Sequence, residues 1–117
     1  MSYLFVSMGG AIGALLRFVV GQQVAFPFGT LSVNILGSFL MGLGFVYLTS
    51  RVDGRLALLL MTGVLGGFTT FSAFSLDVYR LYEAGRNIFA VGYVGVSVFG
   101  SLAAVIFGVL IMRVIMS

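Results

Sequence analysis

Polar side chains are few in this sequence, and those inside its apolar stretches keep helical spacing. Asn34, Ser38 and Gly42 fall at i, i+4 and i+8, and Tyr93, Ser97 and Ser101 repeat the interval. Coiled into helices, each set occupies one face. An amide and a row of hydroxyls among apolar residues supply N–H and O–H donors that can replace an ion's lost water. Hydroxyls such as those of Ser38 and Ser97 also commonly bond between neighbouring helices. Asn34 is costlier to bury and points to function. The segment Gly66-Gly67-Phe68-Thr69-Thr70-Phe71-Ser72-Ala73-Phe74-Ser75 adds aromatic rings among hydroxyls. A ring has a positive edge and a negative face. Ring edges can therefore hold an anion without the full positive charge that would bind it too tightly for release. Phe68, Phe71 and Phe74, spaced by three, are expected to stack along one face. Adjacent glycines and β-branched residues are poor helix formers, so a local break is expected here. A break frees backbone carbonyls, which are hard oxygen ligands for a small cation.

Most other chemistry is excluded by composition. The chain has no His, Cys or Lys, six Arg and three acidic residues. The usual zinc, haem and iron–sulfur ligand sets, a thiol nucleophile and an imidazole base are all missing. An enzyme is the least supported class. With no basic stretch and no RNA-binding motif, nucleic acid is not an expected partner.

The elements that must position these residues are membrane spans. Only 8 % of the residues are charged and 61 % are hydrophobic, whereas a soluble domain carries about 25 % charge. Tyr3–Gly21, broken only by Arg17, and the uncharged runs Leu31–Thr49, Leu56–Leu76 and Ile88–Met112 are 19 to 25 residues long. A bilayer-spanning helix needs about 20, and the runs lack the alternation of a barrel. The expected fold is an all-α integral membrane protein. It has four transmembrane helices over about 3–21, 31–49, 56–78 and 88–112, with a break in the third, in one domain spanning 1–117. Turns are expected at Gln22–Gly29 with Pro27, at Arg51–Arg55 and at Arg80–Asn87, and a surface ion pair between Asp77 and Arg80. The N-terminus has neither a basic n-region nor a small-residue cleavage site, so no removed signal peptide is expected.

Four spans place both termini on one side, with Arg51, Arg55 and Arg113; the other side holds Arg17, Arg80 and Arg86. Three charges against three give the positive-inside rule nothing to act on. Insertion in both orientations is the expectation, and an antiparallel homodimer with its two-fold axis in the membrane plane follows from it. Gly9 and Gly13, and Gly63 and Gly67, form two GxxxG pairs, and Gly92, Val96, Gly100, Ala104 and Gly108 make a stripe of mostly small residues at intervals of four. Such stripes let helices approach closely in lipid. Arg17, near the end of the first span, reads either as a snorkelling anchor or as a positive mouth for anions.

The chain resembles the Fluc (CrcB-type) fluoride channel family. Gly9-Gly10-Ala11-Ile12-Gly13-Ala14-Leu15-Leu16-Arg17, Gly29-Thr30-Leu31-Ser32-Val33-Asn34-Ile35-Leu36-Gly37-Ser38-Phe39, the stretch Gly66–Ser75 and Gly100-Ser101-Leu102 carry the likeness, in order and over essentially the whole chain. The resemblance implies a dual-topology antiparallel homodimer in the inner (plasma) membrane that exports toxic fluoride passively through two pores. It places the pore phenylalanines at Phe71 and Phe74, the pore asparagine at Asn34, a pore hydroxyl at Ser101 and a vestibule arginine at Arg17. It also implies a structural sodium ion at the dimer centre, held by the backbone carbonyls of Gly66 and Thr69 from both subunits.

Two positions depart from the family pattern. Ala73 stands where a threonine is usual, removing one donor beside the phenylalanines, for which Ser72 is the expected substitute. Val105 stands where a hydroxyl is frequent. The competing classes are a small multidrug-type antiporter and a non-transporting assembly subunit. The first needs a carboxylate deep in the membrane, and the sequence places Asp77 at a span end. The second does not explain the polar, interrupted third span.

Overall fold

The computed structural model describes residues 2–51 and 54–117. The apolar runs are helical, the third with an interruption at 69–71. Helix α1 covers Ser2–Gln23, α2 Phe28–Arg51 and α3 Gly54–Ala57; a π-helical segment follows at Leu58–Leu65, then α4 at Gly66–Phe68, α5 at Ser72–Glu83 and α6 at Asn87–Met116. Among the described residues, four helical stretches are long and apolar enough to cross a membrane: Ser2–Gln23, Phe28–Leu48, Arg55–Glu83 and Asn87–Met116. The protein is an all-α membrane protein. Its helices extend a few residues past the expected spans.

The turns follow local chemistry. Pro27 ends the first connection, and α2 starts directly after it, one residue before Gly29. The α5–α6 connection is shorter than expected, because α5 runs on through Arg80 to Glu83. It closes with Gly85 at φ +77°, with Gly85 N–H donating to Tyr82 O and Arg86 N–H to Leu81 O, each at 3.0 Å. This is a Schellman cap, which needs the left-handed residue that glycine supplies without strain. The turn expected at Arg51–Arg55 falls in part on Val52 and Asp53, which lie outside the described residues.

Packing is organised by two backbone contacts. The first pair of glycines meets the second. A Cβ on Gly9 would lie 2.7 Å from Gly63 Cα, one on Gly13 2.7 Å from Phe68 N, and one on Gly67 2.6 Å from Gly10 O. Helix α1 thus presses against the π segment and α4, with the Leu59 and Val64 carbonyls against Gly9 and Gly13. The second contact joins α2 to α6, where a Cβ on Gly108 would meet Gly42 Cα at 3.2 Å. The stripe on α6 does not act as one surface: Gly100 faces Ile35 and Gly108 faces α2, but a Cβ at Gly92 would meet nothing within 4 Å. A small core of Phe74, Leu81, Ala90 and Tyr93 ties α5 to α6.

Candidate functional site

The third span is interrupted where Thr69 takes an extended backbone, φ −83° and ψ 156°. The adjacent glycines remain helical in α4, and the non-helical residues are 69–71. The departure is directed by side chains that capture the bonds a continuing helix would use. Asn34 Oδ1 accepts the Thr70 N–H at 2.8 Å, and Asn34 Nδ2 donates to Thr70 O at 2.9 Å. The Thr70 hydroxyl accepts the Ala73 N–H at 3.2 Å, the bond of a helix N-cap. The Phe71 carbonyl already accepts the Ser75 N–H at 2.8 Å, so the next helix effectively begins at Phe71.

These captures sort the carbonyls. In an α-helix, Gly66 O would accept from Thr70 N–H and Thr69 O from Ala73 N–H. Both donors are committed to side-chain oxygens instead. Thr70 O is taken by Asn34, and Gly67 O accepts from Arg17 Nε at 3.2 Å. Gly66 and Thr69 thereby lose their α-helical donors while the carbonyls around them gain side-chain ones. Oxygens released in this way suit a hard monovalent or divalent cation. Among the described residues, no three His, Cys, Asp or Glu side chains gather into a metal-binding group.

A cleft of about 440 Å³ opens beside the interruption, lined on its polar side by Asn34, Ser38, Thr69, Thr70 and Ser101, with Gly66 and Phe71 also at its wall. The Asn34–Ser38 face of α2 and the Ser101 end of the α6 row therefore meet across one space. Asn34 Nδ2 has two protons; one is held by Thr70 O, and the second remains for the cleft. Val105 contributes an apolar wall.

The aromatic residues divide differently from the expected stripe. Phe68 precedes the interruption and is buried beside Gly37 of α2. Phe71 and Phe74 pair at 5.5 Å between centroids and 48° between planes. Phe71 is 75 % exposed and Phe74 only 8 %. A change of backbone direction between 68 and 71 separates what a continuous helix would have aligned. Ser72 is exposed, with its hydroxyl 3.3 Å from that of Thr70, beside the cleft rather than in it.

Asp77 corrects the sequence reading. It is 6 % exposed, and its Oδ2 accepts from the Tyr93 hydroxyl at 3.2 Å rather than forming a surface pair with Arg80. The same hydroxyl lies 3.3 Å from Pro27 O, and with one proton it can donate to only one of them at a time. The Tyr93 ring stacks on Phe74 at 5.6 Å. Ser97, one turn on, is 5 % exposed, and its Oγ has no hydrogen-bond partner. The α6 row therefore runs from a buried acid at Tyr93, through an unsatisfied hydroxyl, to the cleft at Ser101. Burial of Asp77 was not legible locally, because the i, i+3 arginine offered a nearer partner than a tyrosine 16 residues away. Arg17 Nε bonds Gly67 O, and the residue lines a smaller cleft of about 270 Å³ with Thr30 and Ala73.

Residues 4–109 match the family model described as CrcB-like protein, Camphor Resistance (CrcB). The chain belongs to the CrcB family. Curated CrcB relatives resemble it over nearly their whole length. A protein of Cereibacter sphaeroides named fluoride-specific ion channel FluC is 51 % identical over 96 % of this chain and 94 % of its own. Proteins of the same name from Paracoccus denitrificans and Rhizobium johnstonii are 49 % and 48 % identical, over 96 % and 94 % of this chain and 94 % of their own. CrcB membership and the four apolar helices make this a multi-pass protein of the plasma membrane.

Proposed function

We propose that this chain is a fluoride-selective channel, not an enzyme, that lets toxic fluoride leave the cytoplasm down its electrochemical gradient. The observation that carries this reading is the cleft in which Asn34, Ser101 and Phe71 meet. Fluoride is small and strongly hydrated. It enters a dry path only where donors replace its water, and the Asn34 amide and the Ser38 and Ser101 hydroxyls are such donors. The edges of Phe71 and Phe74 then offer weak positive potential that does not trap the ion. Ser72 adds a hydroxyl beside Phe71, and Arg17 completes the site residues. Passive flow requires no proton-exchanging step.

The working unit is an antiparallel homodimer with two pores, and the whole of residues 1–117 forms one transmembrane domain. The exposure of Phe71 supports pairing, since an aromatic side chain that is 75 % exposed in one chain gains cover in two. A sodium ion held by Gly66 and Thr69 carbonyls of both subunits would join the two interruptions as a structural tie; the loss of their helical donors fits that role. The test is efflux from liposomes containing the purified protein, followed with a fluoride electrode beside a chloride control. Rapid fluoride release without chloride release is expected. Absence of fluoride release from folded protein overturns the proposal.

A further inference from the structure

Helix α4 would continue past Phe68 if the Gly67 carbonyl accepted the Phe71 N–H, its partner four residues on. In this structure that bond is not made, and the Gly67 carbonyl takes a side-chain donor, Arg17, instead. Its Nε donates to Gly67 O at 3.2 Å from 50 residues earlier in the chain. The reach is fixed by backbone contact: Gly13 lies against Phe68 N and Gly67 against Gly10, so Arg17, one turn beyond Gly13, is delivered to the end of α4. The bond is charge-assisted, hence stronger than a neutral one. Phe71 meanwhile starts the following helix, its carbonyl accepting from both the N–H and the hydroxyl of Ser75, at 2.8 and 3.0 Å.

We infer that Arg17 is a positioning residue for Phe71: by donating to the Gly67 carbonyl, which the interruption leaves without its helical donor, it stabilises the conformation in which Phe71 stands outside the preceding helix. The inference rests on the reading of Phe71 as a pore residue. It differs in kind from a charge that attracts anions, because it depends on one donor atom at one place. Asn34 acts on the neighbouring bond, removing the Thr70 N–H from Gly66. Together the two side chains, from α1 and α2, satisfy consecutive peptide groups that the interruption leaves without their helical partners.

Three substitutions separate donor from charge. Glutamine carries an N–H donor at the same number of bonds from Cα as arginine Nε, without charge. Lysine keeps the charge but has carbon at that position, its ammonium one bond farther. Methionine has neither. The measurements are fluoride efflux per folded dimer in liposomes and amide exchange of Phe71, followed by NMR on ¹⁵N-phenylalanine-labelled protein. Arg17→Met is expected to lower efflux about tenfold or more, the population change that a lost charged hydrogen bond produces, and to slow Phe71 exchange as its amide joins the helix. Arg17→Gln recovers most of both, and Arg17→Lys recovers less. Recovery by Arg17→Lys but not by Arg17→Gln overturns the inference in favour of a charge effect, and so does Phe71 exchange unchanged in Arg17→Met. If Arg17→Met does not fold, the Gln and Lys variants decide the question by the same ranking. If the wild-type protein releases no fluoride, the channel reading fails, and the order of Phe71 exchange rates still tests the positioning.

Discussion

Replacing Asn34 with alanine removes both bonds to the Thr70 peptide, at 2.8 and 2.9 Å. A continuing helix would satisfy both groups, the Thr70 N–H on the Gly66 carbonyl and the Thr70 carbonyl with the Phe74 N–H. In the interrupted conformation both are left without a partner, and each unsatisfied buried group costs about 1–3 kcal/mol. The sum is about 3 kcal/mol against the interrupted conformation, on the order of a hundredfold in the ratio of interrupted to continuous helix. Since the cleft donors and the Phe71–Phe74 pair are arranged around that interruption, fluoride efflux from liposomes should fall by a comparable factor. The fold of the chain should persist, because the α1–α4 and α2–α6 glycine contacts within it do not involve Asn34, and size exclusion checks that. Efflux of Asn34→Ala within about twofold of wild type, in folded protein, would refute the reasoning, since the clamp would then be dispensable.

Phe71→Ile should abolish or strongly reduce fluoride efflux while leaving the proposed dimer intact; unchanged efflux removes that ring from the path. Gly13→Ala places a Cβ 2.7 Å from Phe68 N and should destabilise the detergent-solubilised protein by about 1–3 kcal/mol, whereas Gly92→Ala meets nothing within 4 Å and should be neutral or stabilising by up to ~1 kcal/mol. Thermal unfolding of both variants, side by side, checks this contrast. Tyr93→Phe keeps the stack on Phe74 but leaves buried Asp77 without that donor, so a loss of about 1–3 kcal/mol is expected in the same assay.

What could be read from the sequence was whatever a single helix decides for itself. Uncharged run lengths give the four spans, and the two GxxxG pairs announce close packing, although the sequence does not say that they pack on each other. The weak stretch of the third span was named by its glycines and threonines. The residues that steer it are remote, however: Arg17 and Asn34 act across 50 and 36 positions. Asp77 shows the same limit, as its local arginine suggested the surface and its distant tyrosine puts it inside. Phe68 shares a spacing of three with Phe71 and Phe74, but the backbone changes direction between 68 and 71 and sets it apart. The π segment at Leu58–Leu65 has no counterpart in the apolar pattern, which reads the same for either helix type.

The contact of α1 with the third span has a thermal consequence. Where Gly9, Gly10 and Gly13 meet Gly63 and Gly67, backbone touches backbone. There are no side chains there, hence no rotamers to freeze when the surfaces join, and side-chain conformational entropy takes nothing from the association. Nor is there anything to hop between wells once it has formed. The interruption at 69–71 and the arginine that reaches it are thus mounted on a contact whose glycines bring no side-chain rotamers. A sub-ångström arrangement of donors, which a small, strongly hydrated ion demands, is easiest to keep on such a support.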